Sequence, residues 1–223
     1  YVSYYQYRTG DCWRCNSDFD SHSAYAKTGF QVSEKLKLSV EYSFMQYLAQ
    51  QPGGLTDAQF NEDPQQSYRD RNWFRVNWNL PSFKAEYDFS SKTKLDTRIF
   101  GLIASREALG NLERIDREDN EEFDRSLLDG EFQNIGNETR ILHRYNLLDN
   151  MSSFLGGIRL YSGTSRQSYG TAPSGRGKDF RHKTADSLSY DYNNTSRNLA
   201  IFAENIFSIN DKLSVTPGIR YEN

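Results

Sequence analysis

Four stretches of the chain alternate apolar and polar residues with a period of two. In SEKLKLSVEYSF (33–44), Leu36, Leu38, Val40, Tyr42 and Phe44 share one parity, while Lys37, Ser39, Glu41 and Ser43 take the other. SSKTKLDTRIFGLI (90–103) sets Leu95, Thr97, Ile99, Gly101 and Ile103 against Lys94, Asp96, Arg98, Phe100 and Leu102. MSSFLGGIRLY (151–161) and DKLSVTPGIRYE (211–222) repeat the arrangement, the latter with Leu213, Val215, Ile219 and Tyr221 on one side. This is the signature of strands with one apolar and one polar face. A short polar turn precedes each stretch, and before the turn lies another strand-like run, at 24–32, 71–89, 139–148 and 197–207. In each case the turn is short on one side and the loop long on the other, so a unit of strand, tight turn, strand and long loop occurs four times; the 59-residue spacing of Leu36, Leu95, Phe154 and Leu213 is coincidental.

With YVSYYQYR at the N-terminus the pattern predicts about nine strands in 1–223. Within 71–89, Pro81 shifts the apolar parity from Phe74, Val76, Trp78 and Leu80 to Phe83, Ala85 and Tyr87, which predicts a bulge. The turns are short at one end of the hairpins. Long polar loops are expected at the other, near 48–70, 105–137 and 163–195, with a shorter one at 10–22. That asymmetry, with Arg, Lys, Asp and Glu at strand centres on the polar face, fits an antiparallel transmembrane β-barrel with a wet lumen. An odd number of strands with one left over at each end does not close, so the expectation is an arc of a larger barrel.

Composition agrees. Only 36% of residues are apolar but 14% are aromatic, which suits a β-rich chain more than a helical bundle. No apolar run is long enough for a transmembrane helix, a test blind to barrels. The net charge of −3, with both signs interspersed, gives no nucleic-acid footprint. No phosphate loop, nucleophile elbow or HExxH pattern is present, so no enzymatic reading has a residue to stand on, and no resident cofactor or metal is expected.

Three words then carry a family resemblance. NLAIFAENIFSINDKLSVTPGIRYE (198–222) resembles the strand, turn and strand of TonB-dependent outer-membrane receptors. PGGLTDAQFNEDPQQSYRDRNWFRVNWN (52–79), with IFGLIASREALGNL (99–112), looks like the ferric-citrate-receptor-like, siderophore-importing branch. GDCWRCNSDFDS (10–21) is similar to a segment near the first barrel strands, with Cys12 and Cys15 where the pattern has Gly and a polar residue. The resemblance implies a barrel of about 22 strands in the bacterial outer membrane. It also implies a plug, lying outside this sequence, that couples to the TonB complex and gates import of a ferric siderophore. Iron would be present only as part of the transported chelate.

A ferric citrate complex is rich in carboxylates, which Arg binds with a two-pronged fork. Candidate ligand-binding residues are therefore Gln65, Tyr68, Arg69 and Arg71. The competing reading is that they are solvated loop charges, partly paired with Asp63 and Asp70. Arg166, Arg176, Arg181, His182 and Lys183 form a second basic cluster, again with solvated loop as the competing reading. Cys12 and Cys15 have redox or half-zinc spacing, but with only His22 nearby a local disulfide in an oxidising compartment is the expectation. His22 and His143 are expected to be structural. Arg98, Arg159, Arg220 and Glu222 should form charge ladders across the luminal wall, and the acidic run 113–124 should be a solvated loop. Two other functions compete: a soluble all-β binding module such as a lectin or adhesin, and a TonB-dependent importer of glycans or peptides.

Overall fold

In a computed structural model, residues 1–10, 13–147 and 149–223 are described. They form one antiparallel meander. Its strands are β1 (Val2–Gly10), β2 (Phe19–Gln31), β3 (Leu36–Gln50), β4 (Trp73–Asp88), β5 (Thr93–Gly110), β6 (Arg125–Leu147), β7 (Asn150–Ala172), β8 (Leu188–Asn210), β9 (Leu213–Val215) and β10 (Gly218–Glu222). A six-residue helix, α1 (Asp57–Glu62), interrupts the β3–β4 connection and is capped by Thr56. Strands pair in chain order from β1 to β8, with β9 and β10 both on β8, and the sheet is open. Phe207 pairs with Val215 and Glu204 with Gly218 in one continuous register. β9 and β10 are therefore a single strand interrupted at Thr216 and Pro217, giving the nine strands expected.

Turn chemistry explains the hairpin ends. Ser33 Oγ accepts from the backbone N–H groups of Lys35 and Leu36 at 3.3 and 3.2 Å, and Ser90 Oγ from those of Lys92 and Thr93 at 3.2 and 3.1 Å. The same serine-based turn thus starts β3 and β5. Between β6 and β7, Asp149 takes φ 62, a left-handed conformation that Asp tolerates better than most residues.

Two differences from the sequence pattern have physical causes. β6, β7 and β8 each run for 23 residues, so most of 125–137, 163–172 and 188–195 is strand, and the connections shorten to 111–124 and 173–187. A bilayer crossing uses only about 9–11 residues. Beyond it both faces of a strand are wet, and pairing in register holds the backbone without apolar alternation. The second difference is at Pro81, where no bulge forms. Tyr42 pairs with Pro81 in the same register that pairs Val40 with Phe83 and Met45 with Trp78. The ladder to β5 skips Leu80 and Pro81 and resumes unshifted from Asn79–Ile103 to Ser82–Phe100. The parity change instead marks a real exchange of faces. Phe83, Ala85 and Tyr87 share a face with Val40 and Ile99, whereas Leu80, Trp78, Val76 and Phe74 lie on the opposite one.

Register carries the two faces across the sheet. One bears Val40, Phe83, Ile99, Ile135, Ile158, Ile201 and Ile219, all exposed, with Ile99 at 47% and Ile135 at 61%. The other bears the charged strand centres. Toward the loop end the apolar-banded face changes character: Leu109, Leu127 and Ala172 are buried, with Trp73 and Phe180 packed on them, so the 173–187 connection lies over the loop-end residues of β4, β5 and β6. In a bilayer, Ile99→Arg should cost about 2–4 kcal/mol and impair assembly, while Arg98→Ala on the other face should stay within about 0.5 kcal/mol. Denaturant unfolding of the full-length protein in lipid vesicles measures both, and equal losses would refute the assignment of faces.

Candidate functional site

Arginine side chains knit the loop ends into one body. Arg14 donates to the backbone oxygens of Gln66, Gly53 and Pro52 at 2.9, 2.7 and 3.3 Å, tying the β1–β2 connection to the β3–β4 connection. Arg69 donates to the oxygens of Arg117, Glu113 and Arg114 at 2.8, 3.1 and 2.7 Å, joining the latter to the β5–β6 connection. Arg71 grips the Asp119 carboxylate with Nε and one terminal nitrogen at 2.9 and 2.8 Å, and gives its other terminal nitrogen to the oxygens of Glu121 and Phe123. Arg125 reaches Pro173 O at 2.8 Å and also Gly177 O, bringing in the β7–β8 connection. Arg176 completes the circuit with Glu121 and, at 3.6 Å, Asp70.

Arg69 and Arg71 are only 3% and 2% exposed. Burying guanidinium groups is tolerable only when they are paired and hydrogen-bonded, which the carbonyl oxygens and Asp119 accomplish. Burial alone would push the Asp119 carboxyl up. The hydrogen bonds from Arg71 and Asn111 more than offset that and hold it below the usual carboxylate range. Glu121 is likewise lowered by its bond to Arg176.

The charged face carries a lattice. Lys84 bridges Glu86 at 3.0 Å and Asp96 at 2.6 Å; Asp96 meets Arg140 at 3.2 Å; Glu138 lies 3.6 Å from Arg140 and 3.9 Å from Arg159. Arg220 pairs with Glu222 at 2.9 Å. A recess of about 500 Å³ opens on this wall, lined by Lys84, Asp96, Arg98, Phe100, Glu138 and Arg159. Phe100 lies over Gly136 and Phe202 over Gly157, so a Cβ at either glycine would meet the ring at 2.3 Å. Arg159 and Arg220 each sit 5.6 Å from the centroid of one of those rings.

The residues expected from sequence are thus distributed as follows. Arg69 and Arg71 are neither solvated nor paired with Asp63 or Asp70; they are buried between loops. Gln65 is exposed and Tyr68 half-buried on the same connection. Arg166 lies in β7 and pairs with Asp191, Arg181 with Asp179 and Lys183 with Asp124, while His182 Nε2 meets Ser168 Oγ at 3.0 Å. His22 is held by Asp20 and Tyr5, and His143 by Thr93. Arg159, Arg220 and Glu222 do enter the lattice, whereas Arg98 forms no ion pair among the described residues. The run 113–124 contains a buried anchor, Asp119, rather than only solvated charge. The expected pairing of Cys12 with Cys15 lies outside the described residues, because Cys12 does; the backbone N–H of Cys15 donates to Gln65 O at 3.0 Å. Arg14, Asp119 and Arg125 carry no sequence signal of their anchoring role, since the 10–22 and 105–137 stretches read as loop and the carbonyls they or their partners meet lie on other connections.

An open antiparallel arc with one apolar band facing outward, one charged wall and long connections at one end is the wall of an outer-membrane barrel. The sequence profile of the TonB dependent receptor-like β-barrel family matches residues 3–223, and the chain belongs to that family of the bacterial outer membrane. Among solved structures it is similar to the ferric citrate transporter FecA in the unliganded form, at 18% identity and TM-score 0.81, covering 99% of this chain and 32% of that one. It is similar to the ferric-catecholate import receptor Fiu from E. coli K12 in the open form, at 11% and 0.75, covering 99% and 39%. The ferripyoverdine receptor of the outer membrane of Pseudomonas aeruginosa, bound to ferripyoverdine, matches at 11% and 0.77, covering 97% and 32%. At these identities the likeness is one of fold, and the chain spans about a third of each of these receptors. No curated protein sequence matches.

The loop body makes a pH-dependent prediction. Asp119 and Glu121 have lowered values in the folded protein, so their contribution is complete above the ordinary carboxylate range and fades as pH falls through those lowered values. Cleavage within 111–124 by an acid-active protease should accelerate there. Arg71→Ala should accelerate cleavage already at neutral pH, since removing one partner of a buried pair costs about 3–5 kcal/mol. Peptide mapping checks both.

Proposed function

We propose that this chain is part of a receptor that captures a ferric chelate, ferric citrate or another siderophore, at its loop end and imports it through the barrel with energy from the TonB complex. Membership of the TonB-dependent receptor-like family carries this reading. The arginine-knit loop body supports it, because connections fixed to one another can present a ligand with donors already in place. In this proposal Gln65 and Tyr68 face the ligand from the β3–β4 connection. Arg69 and Arg71 act as positioning residues, their N–H groups given to Asp119 and loop carbonyls. Iron enters as cargo. The charged wall would serve as the seat of a plug, polar enough to be released when pulled.

The test is uptake of radioactive iron by cells carrying or lacking the full-length receptor, offered ferric citrate and a panel of other siderophores, with and without TonB. Receptor- and TonB-dependent uptake of at least one chelate is expected. Uptake of none, with TonB-dependent uptake of an oligosaccharide or peptide instead, would replace the reading with the corresponding importer.

A further inference from the structure

The luminal face is divided by charge along its strands. Register sets Arg8, Tyr47, Val76, Arg106, Gly130 and Gln167 in one luminal row near the loop end. From the row above it, through Phe74 and Tyr169, down to the row of Tyr25, Ser43 and Leu80, the described luminal residues include no carboxylate, and the charged ones are Arg8 and Arg106. The next row brings the first acid, Glu41, paired with Lys27, and the ion-pair lattice begins.

Arg106 is exposed, and its side chain has no hydrogen bond or ion pair among the described residues. That sets it apart from Arg14, Arg69, Arg71, Arg125 and Arg176, whose donors hold the loops. Its same-face neighbours are Ala104 and Ala108 along β5, and Val76 and Gly130 across it. None offers a side-chain acceptor to the exposed guanidinium. The next positions out are aromatic. Trp78, 46% exposed, flanks Ala104 on β4, and Phe132 flanks it on β6. Tyr169, Tyr190 and Tyr192 stack at 5.6 and 4.8 Å to form a wall two and three strands away, on β7 and β8.

We infer that Arg106, with Trp78 and Phe132, is a luminal docking site for an anionic group carried on a planar aryl ring. This rests on the import reading and narrows it. One unpaired guanidinium provides a two-pronged fork for a single carboxylate or for adjacent ring oxygens. The surrounding π faces reward a ring and give nothing to an aliphatic polycarboxylate, which needs several donors to replace its lost water. The absence of carboxylates from these rows leaves the positive potential uncancelled.

The test uses the full-length receptor in detergent, its folding verified by heat-modifiable electrophoretic mobility. Binding of ferric 2,3-dihydroxybenzoate, iron-free 2,3-dihydroxybenzoate and ferric citrate is followed by tryptophan fluorescence and equilibrium dialysis. The aryl probes should bind. Arg106→Gln should weaken them at least about tenfold, as for a lost charge-assisted hydrogen-bond pair. Trp78→Leu should weaken them several-fold, and ferric citrate should be unaffected by either change. Arg106→Lys keeps the charge but not the fork, so a loss there confirms the geometry should Arg106→Gln fail to assemble. Aryl binding that is absent, or equal in wild type and variants, overturns the inference. So does a matching loss for ferric citrate, which would mean that charge alone is read. Iron uptake that persists unchanged in Arg106→Gln overturns the docking site and leaves import intact. Arg106-dependent binding of the aryl anion without uptake of any ferric chelate overturns import and leaves the docking site intact.

Discussion

The antiparallel ladder is the constraint on which everything else rests. In hydrocarbon no water is available to unmet N–H and C=O groups, so each strand must satisfy its backbone on its neighbours. Once paired, its side chains are committed to two faces, and a slip of one residue would send Ile99 and Ile158 into the lumen and Arg98 and Arg159 into lipid. The lipid therefore fixes the register, and the register fixes which side chains meet. The two strand prolines sit where the ladder can spare a donor. Pro81 falls in the short gap between β4 and β5, and Pro217 breaks the last strand while its carbonyl still accepts from Asn205 at 3.0 Å.

Above the membrane the same accounting is settled by arginine. Connections packed on one another bury carbonyl oxygens that no ladder reaches, and each would cost free energy if left without a donor. A guanidinium has five N–H groups in a plane, so one side chain can serve several carbonyls from different segments. Arg69 bonds three carbonyls of the 111–124 connection as well as that of Tyr68. Lysine, a compact point charge, could not span them. The charge that sequence alone assigns to ligand recognition is thus consumed in shaping the rim.

What was legible in the sequence was whatever obeys period two. Leu36 to Phe44 and Leu95 to Ile103 announced their strands, and the turns at Ser33 and Ser90 announced the hairpins. The ends of the strands were not legible, because the start of β6, RSLLDGEF, has Leu127 and Leu128 on opposite faces and so no period of two, and owes its conformation to its neighbours. Nor was the fate of Arg69 and Arg71. Their residue types fit both a carboxylate ligand and a carbonyl-rich loop, and only the position of Asp119, about 50 residues downstream, decides between them. At Pro81 the change of parity is real, but a bulge is not its cause. A change of parity signals either a bulge or a change in which face is wet, and the unbroken register selects the second.

That change of face also separates two electrostatic regimes on one wall. In the lattice of Lys84, Asp96, Arg140, Glu138 and Arg159, opposite charges sit one strand apart, so their fields largely cancel within a few ångströms. Toward the loop end the wall turns aromatic, and Arg106 has no counter-charge among its row neighbours. Exposed to the lumen, its charge meets solvent and counter-ions instead of a neighbouring carboxylate. Along this wall the unbalanced charge lies toward the loop end and the balanced surface beyond it. The ordering follows from the placement of acidic residues along β3 to β7.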